Sequence, residues 1–349
     1  MANVLTLPEG APEEVITVAK VRDVDLTPFG FSGSLALITL DNGLDYNRPN
    51  TLGPQSVASL DAAITEALSH SPAAIAITGK PFIFAAGADL SAMSFLTERE
   101  QALAIGKLGH DVFRRLGEID IPTFSFINGL ALGGGLEIGL HSRYRTLAST
   151  AFTALPEVFL GLVPGWGGAT LLPKLIGPER AVQVIILNAL NNNTMLKAKD
   201  ALALGVVDAV FEPADFLEKS VAFAAAILSG RTTIERKDYS SDPGWDAAIA
   251  TGKAAAVKKF GGADIASPRK ALELIASART CTNGEGFDAE DQVLADLVMS
   301  DPLRASLYAF NMIQKKRKKV EGAPKSNLAR KVTKAVSYTH LTLPTKRIV

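Results

Sequence analysis

The residues with the most chemical promise lie between Asn128 and Gly168. The run Asn128-Gly-Leu-Ala-Leu-Gly-Gly-Gly-Leu-Glu137 is followed, 20 residues after its glutamate, by a second glutamate in Leu155-Pro-Glu-Val-Phe-Leu-Gly-Leu-Val-Pro-Gly-Trp-Gly-Gly168. Glu137 and Glu157 each stand beside glycine or proline in otherwise apolar sequence. A carboxylate is expensive in such surroundings unless it has partners or a purpose. Two glutamates of shifted pKa can act as general acid and general base on one water. The plainer alternative, a pair of capping or partly exposed glutamates, would be favoured for glutamates placed at random. The apolar, glycine-rich turns weaken it here. Gly133-Gly134-Gly135 would be costly inside a regular element, because glycine gives up the most backbone freedom. Such a run is tolerated where bare N–H groups must point at a ligand. The residues after it, Leu136 to Leu140, can begin a helix, whose first amides are unpaired and whose dipole is positive. Together these features describe a backbone anion site with one carboxylate beside it and a second supplied by a separate turn.

Other chemistries lack their residues. The chain has 4 histidines, none with a zinc-type partner, and no nucleophile-elbow, Walker or dinucleotide-binding glycine motif. His141 reads as structural, since no serine or cysteine nucleophile pairs with it by motif. Trp166 reads as a packing residue on a strained turn. Asp89, after the small-residue loop Ala85-Ala-Gly-Ala88, reads as a cap for the following helix. The basic run Lys315–Lys319 reads as a solvated helix C-terminus. With 36 Lys and Arg against 36 Asp and Glu, no net field draws the chain to nucleic acid. A single cysteine, Cys281, fits a reducing compartment. The opening residues show no export signal and no stretch is apolar for long enough to span a membrane, so a cytoplasmic protein is expected.

The elements that must position these residues alternate between strand and helix. Strands are expected over Val15–Val24, Ser34–Leu40, Ala73–Gly79, Ile121–Asn128 and Tyr144–Ser149, the fourth running straight into the glycine loop. Helical spacing marks Pro54–His70 and one long segment over Glu98–Glu118. From about Gly177 the pattern turns helical, over Glu179–Leu190, Lys197–Leu204, Ala214–Leu228, Ser267–Arg279 and Gly286–Lys319, with a short return strand over Gly205–Val210. Gly230–Gly262 reads as the loosest part. Alternation of this kind implies an α/β fold built of βαβ units around a mostly parallel sheet.

Four motifs in this order resemble the crotonase (enoyl-CoA hydratase/isomerase) superfamily: Phe84-Ala-Ala-Gly-Ala-Asp-Leu90, Asn128–Glu137, Leu155–Gly168 and Ala201-Leu-Ala-Leu-Gly-Val-Val-Asp-Ala-Val210. The resemblance implies a crotonase-like (ββα) spiral core with a C-terminal helical region. It divides the chain into an N-terminal extension (1–33), a catalytic core (34–230), a helical region or linker (231–330) and a tail (331–349). It further implies an oxyanion hole from the backbone N–H groups of Ala88 and Gly134, acid/base catalysis by Glu137 and Glu157, and coenzyme A lying along Ala85, Ala86, Gly87, Asp89 and Gly133. The reaction implied is hydration of a trans-2-enoyl-CoA in fatty-acid β-oxidation. The alternatives are Δ3-to-Δ2 enoyl-CoA isomerisation or another crotonase-type reaction, and a non-catalytic acyl-CoA-binding subunit. A narrower likeness is to the N-terminal hydratase half of bifunctional enoyl-CoA hydratase/3-hydroxyacyl-CoA dehydrogenases, with an acyl-CoA substrate, self-association and a thiolase partner implied. No nucleic-acid partner, metal, tightly bound cofactor or NAD site is expected. Where those proteins continue into a dinucleotide loop, residues 337–349 look like translated adapter sequence, as though the reading frame were truncated there.

Overall fold

A computed structural model describes residues 10–313. The chain divides into two units, Met1–Leu307 and Tyr308–Val349. In the second, the described residues belong to the end of the last helix. The Lys315–Lys319 run and the 337–349 tail lie outside the described residues.

In the first unit the chain runs β1 (Val18–Asp25), β2 (Ser34–Asp41), α1 (Pro54–Ser69), β3 (Ala74–Gly79), β4 (Phe82–Ala85), α2 (Arg99–Phe113), α3 (Arg115–Glu118), β5 (Thr123–Ile127), β6 (Gly129–Leu132), α4 (Gly134–His141), β7 (Tyr144–Ala148), β8 (Phe152–Ala154), α5 (Glu157–Leu160), α6 (Gly168–Ile176) and α7 (Pro178–Val182). After a π-helical turn at Gln183–Asn188 come β9 (Leu196–Lys197), α8 (Ala198–Leu204), β10 (Ala209–Phe211), α9 (Phe216–Leu228), α10 (Trp245–Lys259), α11 (Ala266–Ser277), α12 (Asn283–Val298) and α13 (Asp301–Asn311).

Two sheets result. The larger has the order β1-β2-β3-β5-β7-β10, with β1 antiparallel to β2 and the other pairs parallel. Every residue of β3 and β5 is buried, which is why both read as unbroken apolar runs (helices cover parallel strands on each face). The smaller sheet is β4-β6-β8-β9, parallel through β8. Consecutive pairs β3–β4, β5–β6 and β7–β8 place one strand in each sheet and then enter a helix, so the chain advances as a ββα spiral. Because β4, β6 and β8 are parallel, the loops leaving Ala85, Leu132 and Ala154 emerge at the same edge of the small sheet. That edge carries all three chemical motifs.

Several expectations change. The strand ending near Asn128 does not run straight into the glycine loop, because β6 intervenes in the second sheet. The helix expected over Glu98–Glu118 starts at a Glu98/Gln101 capping box and is interrupted at Arg114. Helix begins at Gly168, earlier than expected, and Gly230–Gly262 contains α10. The helix expected from Gly286 starts at Asn283, where Thr282 and Glu285 form a capping box, and breaks between Val298 and Asp301. Asp89 caps no helix. Its Oδ1 accepts from Ser91 N at 2.9 Å in a local turn.

Candidate active site

The loop after β4 is held by backbone bonds to the segment before α1. Ala86 N donates to Asn50 O (2.8 Å), Leu52 N to Gly87 O (2.9 Å) and Asp89 N to Leu52 O (3.1 Å). In this parallel bridge the groups flanking Ala88 face Leu52, so the Ala88 N–H faces the other way, with no acceptor among the described residues. The loop after β6 presents a second free amide. Gly133 takes φ +51°, a conformation side chains rarely adopt, and its N–H is anchored to Ala154 O at 2.9 Å. Gly134 then opens α4, where the first amides have no partner within the helix. The two amides are neighbours: a Cβ built on Gly134 would lie 3.6 Å from Ala88 N.

Glu137 follows in the first turn of α4 and is 2% exposed. Its Oε1 accepts from Trp166 N and Gly168 N, both at 2.8 Å. Burial, together with the Glu290 charge, pushes its pKa up to about 7 against the pull of those two amides. Glu157 is the first residue of α5, where Gly161 at φ +89° ends the single turn. Its Oε2 is shut away from solvent without a hydrogen-bond partner. Burial first, and then the Glu137 charge, push its pKa well above the ordinary carboxylate range. Gly133 leaves room for this side chain, since a Cβ there would come within 2.5 Å of Glu157 Oε1.

Ala88, Gly134, Glu137 and Glu157 line one cavity of about 70 Å³, together with Trp166 and Leu294. Ala86, Gly87 and Gly133 form part of the same wall. Ala85 is fully buried behind it, and Asp89 lines a smaller adjoining pocket. Two larger cavities, of about 530 and 500 Å³, lie elsewhere, around Tyr239 and along α10 and α11. Neither brings together paired acids and free amides, so size does not choose the site. Chemistry does.

Glu290, Asp291 and His110, beneath the site, gave no local signal in the sequence. Glu290, from α12, is fully buried and accepts from Gly167 N (2.6 Å) and Thr170 N (2.7 Å). His110, from α2, stands 2.8 Å from Asp291 Oδ1 and 3.3 Å from Glu290 Oε2. Burial opposes its charge, but the two carboxylates prevail and raise its pKa to about 9. His141 behaves in the opposite way. Burial drives its pKa down to about 3, so the neutral ring donates Nε2–H to Trp166 O at 2.9 Å. It steadies the Pro164–Gly168 turn, as does Trp166, whose indole N–H donates to Ile105 O (3.2 Å). Among the described residues no cluster of His, Cys, Asp and Glu could hold a metal ion, and no helix is long and apolar enough to cross a membrane.

Paired acids thus stand beside two free amides on a ββα spiral. The chain belongs to the enoyl-CoA hydratase/isomerase family, whose model matches residues 30–238. In sequence it is similar to the fatty acid oxidation complex subunit alpha of Shewanella loihica, at 30% identity over 312 residues, covering 84% of this chain and 43% of that protein. The same subunit of Idiomarina loihiensis is 31% identical over 244 residues, covering 68% of this chain and 33% of that protein. The chain thus spans less than half the length of these relatives. Among solved structures it is similar to human mitochondrial Δ3-Δ2-enoyl-CoA isomerase, with a TM-score of 0.60 and 19% identity over 86% of this chain and 99% of that one. Enoyl-CoA hydratase from Bacillus anthracis gives a TM-score of 0.52 and 24% identity over 70% of this chain and 90% of that one. These likenesses establish the crotonase fold.

Proposed function

We propose that the chain is an enoyl-CoA hydratase acting on trans-2-enoyl-CoA in fatty-acid oxidation, with Glu137 and Glu157 as its acid/base pair. The observation that carries this reading is the shared cavity: buried Glu137 and half-buried Glu157, both with raised pKa values, open onto the same small space as the free amides of Ala88 and Gly134. The amides donate to the thioester oxygen as negative charge develops on it, a contribution of about 2.7–4 kcal/mol for each such donor. Two neighbouring carboxylates shielded from water resist ionising together. Glu137, steadied by two amides, is the one that carries charge first, and Glu157 keeps the proton. Water between them then loses a proton to Glu137 as its oxygen bonds to C3. Glu157 delivers its proton to C2, and the pair is reset by proton exchange through solvent. Coenzyme A enters as part of the substrate, along Ala86 and Gly87. The names of the fatty acid oxidation relatives support the pathway, and a thiolase partner and self-association belong to the same proposal.

The test is hydration of crotonyl-CoA, followed by loss of the conjugated-thioester absorbance, for the parent chain, Glu137→Gln and Glu157→Gln. Each substitution should lower kcat by about 10²–10⁴-fold while acyl-CoA binding persists. A parent chain that binds acyl-CoA and never hydrates it would sink the proposal. Turnover of a 3-enoyl-CoA alone would move the assignment to isomerase.

A further inference from the structure

The matched family segment ends at residue 238, yet a carboxylate from well beyond it is built into the floor of the site. Glu290 is fully buried on α12. The backbone at the start of α6 donates four N–H groups, divided between two acids. Trp166 and Gly168 donate to Glu137, whereas Gly167 and Thr170 donate to Glu290. Any rotation of this turn that frees Glu290 therefore also displaces the donors of Glu137.

The cluster is locked from the α2 side as well. A Cβ at Gly106 would meet Asp291 Oδ1 at 2.6 Å, and one at Gly109 would collide with the Trp166 indole. With those side chains absent, α2 sits close enough for His110 to reach both Glu290 and Asp291. His110 also stacks on Phe287 of α12, with ring centroids 4.7 Å apart. A buried ionic cluster is a poor device for stability alone, because apolar side chains of similar size usually do as well or better. Its place against the amides of Glu137 gives it a different use.

We infer that Glu290 and His110 are positioning residues for Glu137, fixing the Gly165–Thr170 turn so that Trp166 N and Gly168 N stay aimed at Glu137 Oε1. This rests on the hydratase reading for its catalytic consequence, though not for its geometry. The titratable and charged groups around the cluster are His110 from α2, Arg114 between α2 and α3, Glu137 and His141 from α4, Glu157 from α5, and Asp291 beside Glu290 on α12.

The experiment compares the full chain with Glu290→Gln and His110→Gln. It measures kcat and KM for crotonyl-CoA hydration against pH. It also measures the carboxylate stretching band of Glu137 by infrared difference spectroscopy, the band being assigned by its loss in Glu137→Gln. In Glu290→Gln the amide NH2 must confront one of the two backbone donors. The turn shifts, and kcat falls by about 10- to 100-fold with KM within roughly threefold. Where the turn shifts, Glu137 loses the aim of Trp166 N and Gly168 N, and its carboxylate stretching band moves toward that of a carboxylate without those bonds in both variants. That movement is what a merely structural role would not give. A folded variant whose band stays at the parental position overturns the inference, as does a folded Glu290→Gln with parental kcat. Should one variant fail to fold, the band of the other decides. Loss of folding in both assigns the cluster to stability and overturns a positioning role. If the parent never hydrates crotonyl-CoA, the hydratase reading fails on that count alone, and the infrared band still decides the positioning.

Discussion

Replacing Glu137 by glutamine should make the protein inactive and more stable, and the gain should depend on pH. Glutamine keeps one carbonyl oxygen, which can take the place of Oε1 and accept from both Trp166 N and Gly168 N. What disappears is a charge held at 2% exposure near Glu290. The Glu137 pKa is raised from 4.5 to about 7. Below pH 4.5 the carboxyl is protonated in both folded and unfolded chains and contributes no difference. Between 4.5 and 7 the unfolded chain ionises first, so stability falls as pH rises, and above about 7 the loss is complete. A shift of this size corresponds to about 3 kcal/mol, at roughly 1.4 kcal/mol per pH unit. Urea unfolding followed by tryptophan fluorescence, run on both proteins at pH 5, 6, 7 and 8, measures it, since Trp166 and Trp245 are both buried. The stability of Glu137→Gln relative to the parent should climb with pH by about 3 kcal/mol and then level off. A difference that stays flat with pH, or that favours the parent at pH 8, would refute the argument that Glu137 is buried at a cost.

Three further outcomes are expected. Gly133→Ala forces a side chain into φ +51° and against Glu157 Oε1; it should cost about 1–3 kcal/mol and abolish most hydration, measured by urea midpoint and crotonyl-CoA turnover. Leu294→Ala removes a buried wall of the cavity; it should destabilise by about 2–5 kcal/mol and shift kcat/KM toward bulkier acyl chains, read from a chain-length series. The His110 pKa is raised from 6.5 to about 9, so its contribution of about 3 kcal/mol is fully present below pH 6.5 and is lost as pH rises through 9. The pH-dependent part of the stability difference between the parent and His110→Gln should follow that window, and a difference that grows with pH would contradict it.

What was legible in the sequence was whatever could be written locally. The glycine run 133–135 pointed to bared backbone, because amides left open need residues without bulk, whereas the loop 85–88 read locally only as the approach to a capping aspartate and joined the site through the family resemblance. The apolar runs of β3 and β5 revealed a covered parallel sheet. The strand β6 was hidden because its four residues, Gly129–Leu132, sit between an asparagine and the glycine run and look like part of the loop. The start of α6 was hidden by Gly167-Gly168, which look like the end of a turn rather than the opening of a helix. Alanine-rich α10 has little apolar periodicity, so it read as irregular chain. Glu290 was out of reach for another reason. It lies 123 residues from Gly167, and nothing near it in sequence says which amides it will meet.

The His110 imidazolium lies close to Glu137 without being paired with it. His110 contacts Glu290 and Asp291 directly, and its charge reaches Glu137 only as the weakest of the influences on that residue. Had the imidazolium been paired with Glu137 instead, the ion pair would have drawn that pKa down into the ordinary carboxylate range. A carboxylate so stabilised is a poor acceptor for a proton from water at neutral pH, because a general base works best with a pKa near the working pH. Glu137 is held by backbone amides alone, which orient it through two hydrogen bonds while leaving its pKa near 7. The cation is placed one layer back, on the acid that holds the turn. Orientation and basicity are thereby set by different groups, and in the proposed mechanism that separation is what lets Glu137 serve as the base.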